Sequence, residues 1–560
     1  MTEITIPDRI KEELKNYDLA KLRTLTLTLR QRCDLELIMN GGFHPLNTFM
    51  NQSDYLSVLK NTRLSNGSLW SIPIILDITK AFAENLAAGD NIALVDSDST
   101  LYAILTVSEC WQPDKKEEAH AVYGTDRHPH PGVEYLYSKT GDIYVSGVLH
   151  PIQSPLHFDF NELRHTPAEL KQIFSEKNWH EIIAFQTRNP MHRAHQELTL
   201  RASQQNNAKL LIHPVVGMTR PGDIDYYARV RCYKYMLAKY PRDTAMLSLL
   251  PLAMRMAGPK EALSHAIIRK NYGCTHFIIG RDHAGPGNDS TGQSFYAPYA
   301  AQELVSQYEE ELGIKVVPFH EMVYVKETKS YMPINQVEKT HTVLRISGTE
   351  FRRCLRERID VPEWFSYPEI IAELRKLFPP KDELGFTLFF TGFSGAGKST
   401  IARALRVRLL EKYDRWVSLL DGDIIRKVLS SELTFSKEHR ELNVRRIGFV
   451  ANEITKHRGI AICAMIAPYS ETRKEVRDLI SESGGFIEVY LSTPLATCEE
   501  RNPKGVYTKA RAGLIQEFTG ISDPYEVPEN PEIEIDTSQY SLEECVDLII
   551  EKVRALGYLN

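Results

Sequence analysis

No stretch of the 560-residue chain reaches the roughly 18 consecutive apolar residues that a membrane-spanning helix needs, so no such helix is expected. The first residues, MTEITIPDRIKEEL, lack a basic region followed by an apolar run, and no signal peptide is expected either. Cysteine is sparse. The eight are Cys33, Cys110, Cys232, Cys274, Cys354, Cys463, Cys498 and Cys545, with no C-x-x-C pair. That spacing excludes a disulfide framework and a sequence-local zinc site, and it fits a reducing, cytoplasmic compartment. Basic residues are not in excess: 67 Lys and Arg stand against 73 Asp and Glu, a formal charge of −6. A nucleic-acid binder relying on a basic surface is thereby disfavoured, while a local basic pocket for a small anion is not. There is no internal repeat and no low-complexity tract.

What is present is ordinary for a soluble globular protein: 42% hydrophobic and 25% charged residues. The length implies about three or four domains. Residues 1–165 read as β-rich, with short apolar runs (SIPIILDI, NIALVD, LYAILTV) between turn signals such as Asn66-Gly67. The polar, His-rich stretch 111–135 reads as a surface loop. Residues 166–325 alternate β-runs (EIIAFQT, KLLIHPVVG, AMLSLLPL, HFIIGRD, KVVPF) with amphipathic helices, which implies a parallel sheet with crossover helices. Residues 326–384 read as a small helical subdomain and connector, the prolines of Phe378–Gly385 stopping a helix. A second β/α series follows over 386–560.

The second series opens on a strand, Phe386–Thr391, that runs into Gly392-Phe-Ser-Gly-Ala-Gly-Lys-Ser-Thr400 and then a helix. This is the strand–G-x-x-x-x-G-K-S–helix context of a phosphate-binding loop. Gly392, Ser394, Gly395, Ala396, Gly397, Lys398, Ser399 and Thr400 supply inward N–H groups, a lysine for the β- and γ-phosphates and a hydroxyl for Mg²⁺. The next strand ends in Asp421-Gly-Asp423, where a carboxylate can hold Mg²⁺ or take a proton from an attacking hydroxyl. Arg426, Phe435, Arg440, Asn443 and Arg446 then suit an anionic substrate that also carries a flat ring.

These features, with EHRELNVRRIG, the run Asn502–Gly513, Phe518-Thr519-Gly520 and Asp523-Pro-Tyr525, closely resemble the adenylylsulfate kinase family over almost all of 386–560. The resemblance implies that Asp423, Arg426, Phe435, Arg440, Asn443, Lys504, Phe518 and Thr519 bind adenylyl sulfate, that 504–511 is a lid, and that the ribose 3′-hydroxyl is phosphorylated. Two positions depart from the family: Ile424 stands where D-G-D-N is usual, and Ala467 where many members carry serine. A phosphoserine at 467 is thus impossible, and direct in-line transfer from ATP does not require one.

Earlier in the chain, Gln186-Thr187-Arg188-Asn189-Pro190-Met191-His192-Arg193-Ala194-His195 sits where a strand gives way to a helix. Asn189 is expected to cap that helix and Pro190 to begin it, with the two imidazoles on one face beside its anion-attracting N-terminus. Zinc is the weaker reading, since helical metal pairs favour i, i+4 and no third ligand is near. The run is similar to the H-x-x-H signature of nucleotidyltransferases. With Gly280–Gly285, Met322-Val-Tyr324, Ile346–Arg352, Ile359–Ser366 and Ile38–Leu46, it resembles the ATP sulfurylase (sulfate adenylyltransferase) family over roughly 1–384.

That resemblance implies a PUA-like N-terminal domain and a Rossmann-like nucleotidyltransferase domain, ahead of the P-loop kinase domain in a multidomain α/β chain. It implies that Gln186, Arg188 and the Ala284 backbone hold sulfate, that Asn189, Gly280, Arg281, Asp282 and His283 hold ATP, and that Val323 lies against adenine. Thr187, His192 and His195 would stabilise charge on the phosphates, with Mg²⁺ accompanying ATP. Sulfate is already a dianion and needs no base, so the site should supply positive charge and positioning.

The leading expectation is one homo-oligomeric enzyme that makes adenylyl sulfate from ATP and sulfate and then phosphorylates it, with Asp421, Asp423 and Lys398 in the second reaction. Two alternatives stay open: a kinase-like C-terminal domain that only binds nucleotide as a regulatory module, and an adenylyltransferase for another anion.

Overall fold

The structure, a computed structural model, describes residues 22–560 apart from 127, 128, 221, 290, 414, 503 and 504. It divides into two compact units, 1–351 with 361–374, and 352–360 with 375–560.

Among its described residues the first unit holds three sheets. Strands β1 (Arg23–Thr26), β2 (Leu76–Ile78), β3 (Asn91–Val95), β4 (Leu101–Trp111) and β5 (Ile143–Pro151) form a mixed sheet in the order β1-β3-β4-β5-β2, parallel only between β1 and β3. Strands β6 (Ile182–Phe185), β7 (Lys209–Ile212), β8 (Ala245–Leu247), β9 (His276–Ile279) and β10 (Lys315–Pro318) form an all-parallel sheet in the order β10-β9-β6-β7-β8. All four residues of β6 and of β9 are buried, the continuous apolar run that a sheet covered on both faces demands. The carboxyl ends of β6 and β9 lie side by side in mid-sheet, where the chain reverses direction of travel, the usual place for a ligand in such folds. One apolar core runs through both sheets, from Leu35, Ile92 and Leu105 to Ala184, Leu211 and Phe277. The sequence break near residue 165 is therefore not a break in the core.

Two expectations change. Residues 111–135 are not a surface loop: helices Lys115–Tyr123 and Pro131–Ser138 occupy most of the stretch, capped by Asp114 and His130. Ala119, Val122, Tyr123, Val133 and Leu136 form a small core, which flanking charge on the outer helix faces concealed. Residues 326–384 are not simply helical. They open with the antiparallel partners of β11 (Met322–Val325), namely β12 (Ser330–Pro333) and β13 (Val343–Leu344) with a short 3-10 turn between them, and the α-helices come only after these.

The second unit is a five-stranded parallel sheet, β15-β16-β14-β17-β18, built from β14 (Phe386–Thr391), β15 (Val417–Asp421), β16 (Ile460–Ala464), β17 (Gly485–Leu491) and β18 (Ile533–Ile535). Side chains of β14 alternate. Phe386, Leu388 and Phe390 pack with Ile401 and Leu405 of the helix Lys398–Lys412, and Phe389 packs on the other face with Ile447 and Val476. Truncating the fully buried Phe389 to alanine would cost about 3–5 kcal/mol.

Candidate active sites

In the first unit, β6 ends and the chain bends before the helix Arg193–Gln205 begins. Its N-cap is His192, not Asn189, so the capping expectation is corrected by three residues. The reason is local. The Thr187 hydroxyl and the Tyr233 hydroxyl both bond the Asn189 carbonyl, at 3.0 and 2.8 Å, and hold 187–189 in a turn ahead of the helix. His195, at the third helical position, accepts a hydrogen bond on Nδ1 from the His192 backbone N–H at 3.1 Å. A neutral His195 therefore carries its proton on Nε2 and is a donor there. His192 Nδ1 lies 2.9 Å from the Ser366 hydroxyl, and its ring packs on Phe365 and Phe351 with centroids 4.7 and 5.1 Å away. Burial pushes His195 down to about 4 and, helped by the neighbouring His195, His192 down to about 3. Both are neutral near pH 7 until an anion arrives.

Arg188 is anchored twice, to Asp223 at 3.1 Å and to the Gly285 carbonyl at 3.2 Å. The second bond ties the end of β6 to the turn after β9, which contains Gly280, Arg281, Asp282, His283 and Ala284. Arg281 and Asp282 are exposed, and Arg281 comes within 3.7 Å of Glu321. Ala284 has a left-handed backbone (φ 55°), and its carbonyl accepts from Gly258 N–H. Gln186 has a buried amide oxygen without a partner, unmet capacity at the strand tip. Val323 is buried in β11 beside Met332 and offers apolar surface only. Arg201 of the histidine-bearing helix bonds the Tyr331 carbonyl of β12 at 2.6 Å, holding the small sheet against that helix. The sequence reading missed Asp223, Tyr233, Phe351, Phe365 and Ser366. These act through long-range contact; the 346–352 and 359–366 runs contain Phe351, Phe365 and Ser366, but the sequence gives these residues no role.

In the second unit, the loop 392–397 turns through Gly395 (φ 81°) and Gly397 (φ 99°), conformations that L side chains rarely adopt. A Cβ at Gly395 would also meet the Cys498 carbonyl at 2.9 Å. Lys398 folds back on the carbonyls of Gly392 and Phe393, at 2.8 and 2.6 Å. Ser394, Gly395, Gly397, Lys398, Ser399, Thr400, Asp421, Asp423, Arg426, Phe435, Arg440 and Asn443 line one cleft of about 720 Å³. Ala396 is buried beneath it, with its carbonyl held by Thr537 at 3.0 Å.

Asp421 receives Asp423 N–H on one oxygen at 3.0 Å. Its other oxygen is buried and unpartnered. Arg426 lies over the Phe435 ring, 4.5 Å from its centroid. Arg440 reaches the Thr519 hydroxyl at 2.8 Å and the Asp523 carboxylate at 2.9 Å, and Tyr469 donates to that carboxylate at 2.9 Å. Asp523 and Tyr469 went unassigned in the sequence, although 523–525 had been noticed. Phe518 packs against Tyr507, centroids 5.1 Å apart, and joins the site through its neighbour Thr519. Ile424 is exposed on the first turn after the aspartates. Ala467 is buried with φ 43° and lines the cleft. Lys504 lies outside the described residues.

Ser399 and the orphan oxygen of Asp421 are hard oxygen donors in one cleft with the phosphate loop. That set fits Mg²⁺ carried on a nucleotide. Among the described residues no group of three or more His, Cys, Asp or Glu could form an all-protein metal cage. No helix among them is long and apolar enough to cross a membrane, and none of the eight cysteines forms a disulfide.

Three family models match the chain in succession: a PUA-like domain over 1–154, ATP-sulfurylase over 161–377 and adenylylsulphate kinase over 384–536. The chain is similar to proteins named sulfate adenylyltransferase. One, from Phaeosphaeria nodorum, is 50% identical over 96% of this chain and 95% of its own. Another, from Mycosarcoma maydis, is 51% identical over 94% and 93%. A solved structure described as a hexameric APS kinase from Thiobacillus denitrificans superimposes with a TM-score of 0.77 at 38% identity, covering 98% of this chain and 97% of that one. The chain belongs to the sulfate adenylyltransferase (ATP-sulfurylase) family and carries an adenylylsulphate kinase domain behind the adenylyltransferase.

Proposed function

We propose that the two sites carry out two-step sulfate activation in one bifunctional enzyme. ATP and sulfate give adenylyl sulfate and pyrophosphate at the first site. A second ATP then phosphorylates the 3′-hydroxyl of adenylyl sulfate at the second. The observation that carries this reading is one chain holding both Arg188 with the His192/His195 pair at a strand tip and an intact phosphate loop facing Asp421. The matched relatives are named for the first reaction only, and the kinase family model together with the loop supports the second. Nothing among these matches favours a C-terminal domain that merely binds nucleotide.

At the first site, Gln186, Arg188 and the Ala284 backbone hold sulfate beside the α-phosphorus. The neutral His195 donates from Nε2, and with His192 and Thr187 it meets charge as pyrophosphate leaves. Asn189 and the 280–283 turn hold ATP, and Val323 packs on adenine. Neutral imidazoles admit a tetra-anionic substrate and strengthen their hydrogen bonds as charge grows, which is differential binding of the transition state.

At the second site, the loop amides and Lys398 hold the donor phosphates. Asp423, Arg426, Phe435, Arg440, Asn443, Phe518, Thr519 and Lys504 hold adenylyl sulfate. Asp421 or Asp423 takes the hydroxyl proton. Mg²⁺, held by Ser399 and by whichever of these carboxylates does not take the proton, would neutralise phosphate charge. Lys398 must leave the carbonyls of Gly392 and Phe393 to reach a phosphate, so nucleotide binding includes that swing. A cytoplasmic homo-oligomer is the proposed state, supported by eight cysteines without a disulfide among them and the hexameric description of the solved relative.

The first step is tested by pyrophosphate release from ATP with and without sulfate. Release that requires sulfate is expected, and release indifferent to sulfate would move the reading to another anion.

A further inference from the structure

Behind the 280–284 turn lies a buried chain that the reaction as described does not use. Glu261 and His265, both on the helix Pro259–Asn271, are buried. The Glu261 carboxylate accepts backbone N–H bonds from Arg255 and Ala257 at 2.8 and 2.9 Å, so it is fixed in place. Burial alone would raise its pKa, but these bonds and the His265 ring outweigh burial and hold it below the usual range. His265 Nε2 lies 3.4 Å from that carboxylate, an ion-pair distance, and makes no hydrogen bond. His265 Nδ1 lies 3.0 Å from His283 Nε2. The His283 ring is wedged between His265 and Phe277, each centroid 5.3 Å away.

The carboxylate is negative and accepts only, so its charge favours the His265 tautomer with the proton on Nε2. His265 Nδ1 is then a lone pair, and His283 must carry its own proton on Nε2 to meet it. We propose that Glu261 and His265 are positioning residues that lock His283 as the Nε2–H tautomer, leaving its Nδ1 an acceptor for an N–H or O–H donor of the nucleotide and not a partner for phosphate oxygen. The inference rests on the reading of 280–283 as the ATP turn. It divides labour within the first site: His192 and His195 serve the phosphates, while His283 serves ground-state binding of the nucleoside.

Two measurements test it. Magic-angle-spinning NMR of ¹⁵N-histidine-labelled full-length protein, with His283→Gln for assignment, reads the tautomer without any turnover. An Nε2–H, neutral His283 at pH 7 is expected, and an Nδ1–H or doubly protonated ring overturns the proposal. In steady-state pyrophosphate release, His265→Phe should raise KM for ATP by about tenfold, one lost hydrogen bond's worth, with kcat held within about twofold. His265→Asn, which keeps an acceptor near the Nδ1 position, should recover most of that loss. A fall in kcat at unchanged KM, or equal damage from Phe and Asn, contradicts the proposal. Absence of sulfate-dependent release in the unaltered enzyme would instead sink the underlying reading while the NMR result still stands on its own.

Discussion

The two sites handle the same cofactor with opposite materials. As proposed, the first relies mainly on side chains: an arginine held by Asp223, and two half-buried imidazoles whose charge has been stripped by desolvation. The second is made of backbone, a glycine turn leading into a helix N-terminus, with side chains added around an open cleft. The difference follows from what attacks. Sulfate arrives fully ionised, so the first site must overcome repulsion between anions and gains from groups that respond as charge builds. A ribose hydroxyl must lose a proton, so the second site keeps acids next to a fixed phosphate cradle.

The largest effects should separate the sites cleanly. Lys398→Ala should lower 3′-phosphorylation by roughly a thousandfold or more while sulfate-dependent pyrophosphate release is unchanged, measured on the same preparation. Loss of both activities would contradict independent chemistry. Next, Arg188→Ala should lower sulfate-dependent release by about 10²–10³, the scale for removing a donor to developing charge, and leave phosphorylation of supplied adenylyl sulfate intact.

A smaller effect tests the neutral imidazoles. His195 sits near 4 when folded, below the ordinary 6.5. Between those values the unfolded chain binds a proton that the folded chain refuses, so stability is lost as pH falls from about 6.5 toward 4. Unfolding midpoints across that window should drop less steeply in His195→Gln than in the unaltered protein. Parallel slopes would mean the ring is not desolvated as the structure places it. The smallest effect concerns Ala467. Restoring serine there should change phosphorylation by no more than about twofold, because direct transfer uses no phosphoserine. A large gain would show that the substitution had cost the site a working group.

Much of this was legible in the sequence where the signal is local. The phosphate loop declares itself because glycines, lysine and hydroxyl must be contiguous to wrap a phosphate, and the parallel strands because double burial leaves uninterrupted apolar runs. What the sequence concealed is long-range or marginal. Asn189 looks like a helix cap, but Tyr233, from a different helix, captures its carbonyl and delays the helix to His192. The helices within 111–135 were masked by charge on their outer faces, and β12 and β13 are too short to show a period. Asp223 and Asp523 matter only because folding brings each to an arginine far away in sequence.

The central claim, two consecutive reactions in one chain, is tested most directly by following ³⁵S from sulfate in the presence of ATP and a pyrophosphatase. The account predicts that label passes through adenylyl sulfate into its 3′-phosphorylated form, and that Lys398→Ala halts it at adenylyl sulfate. Label that stops at adenylyl sulfate in the unaltered enzyme would contradict it.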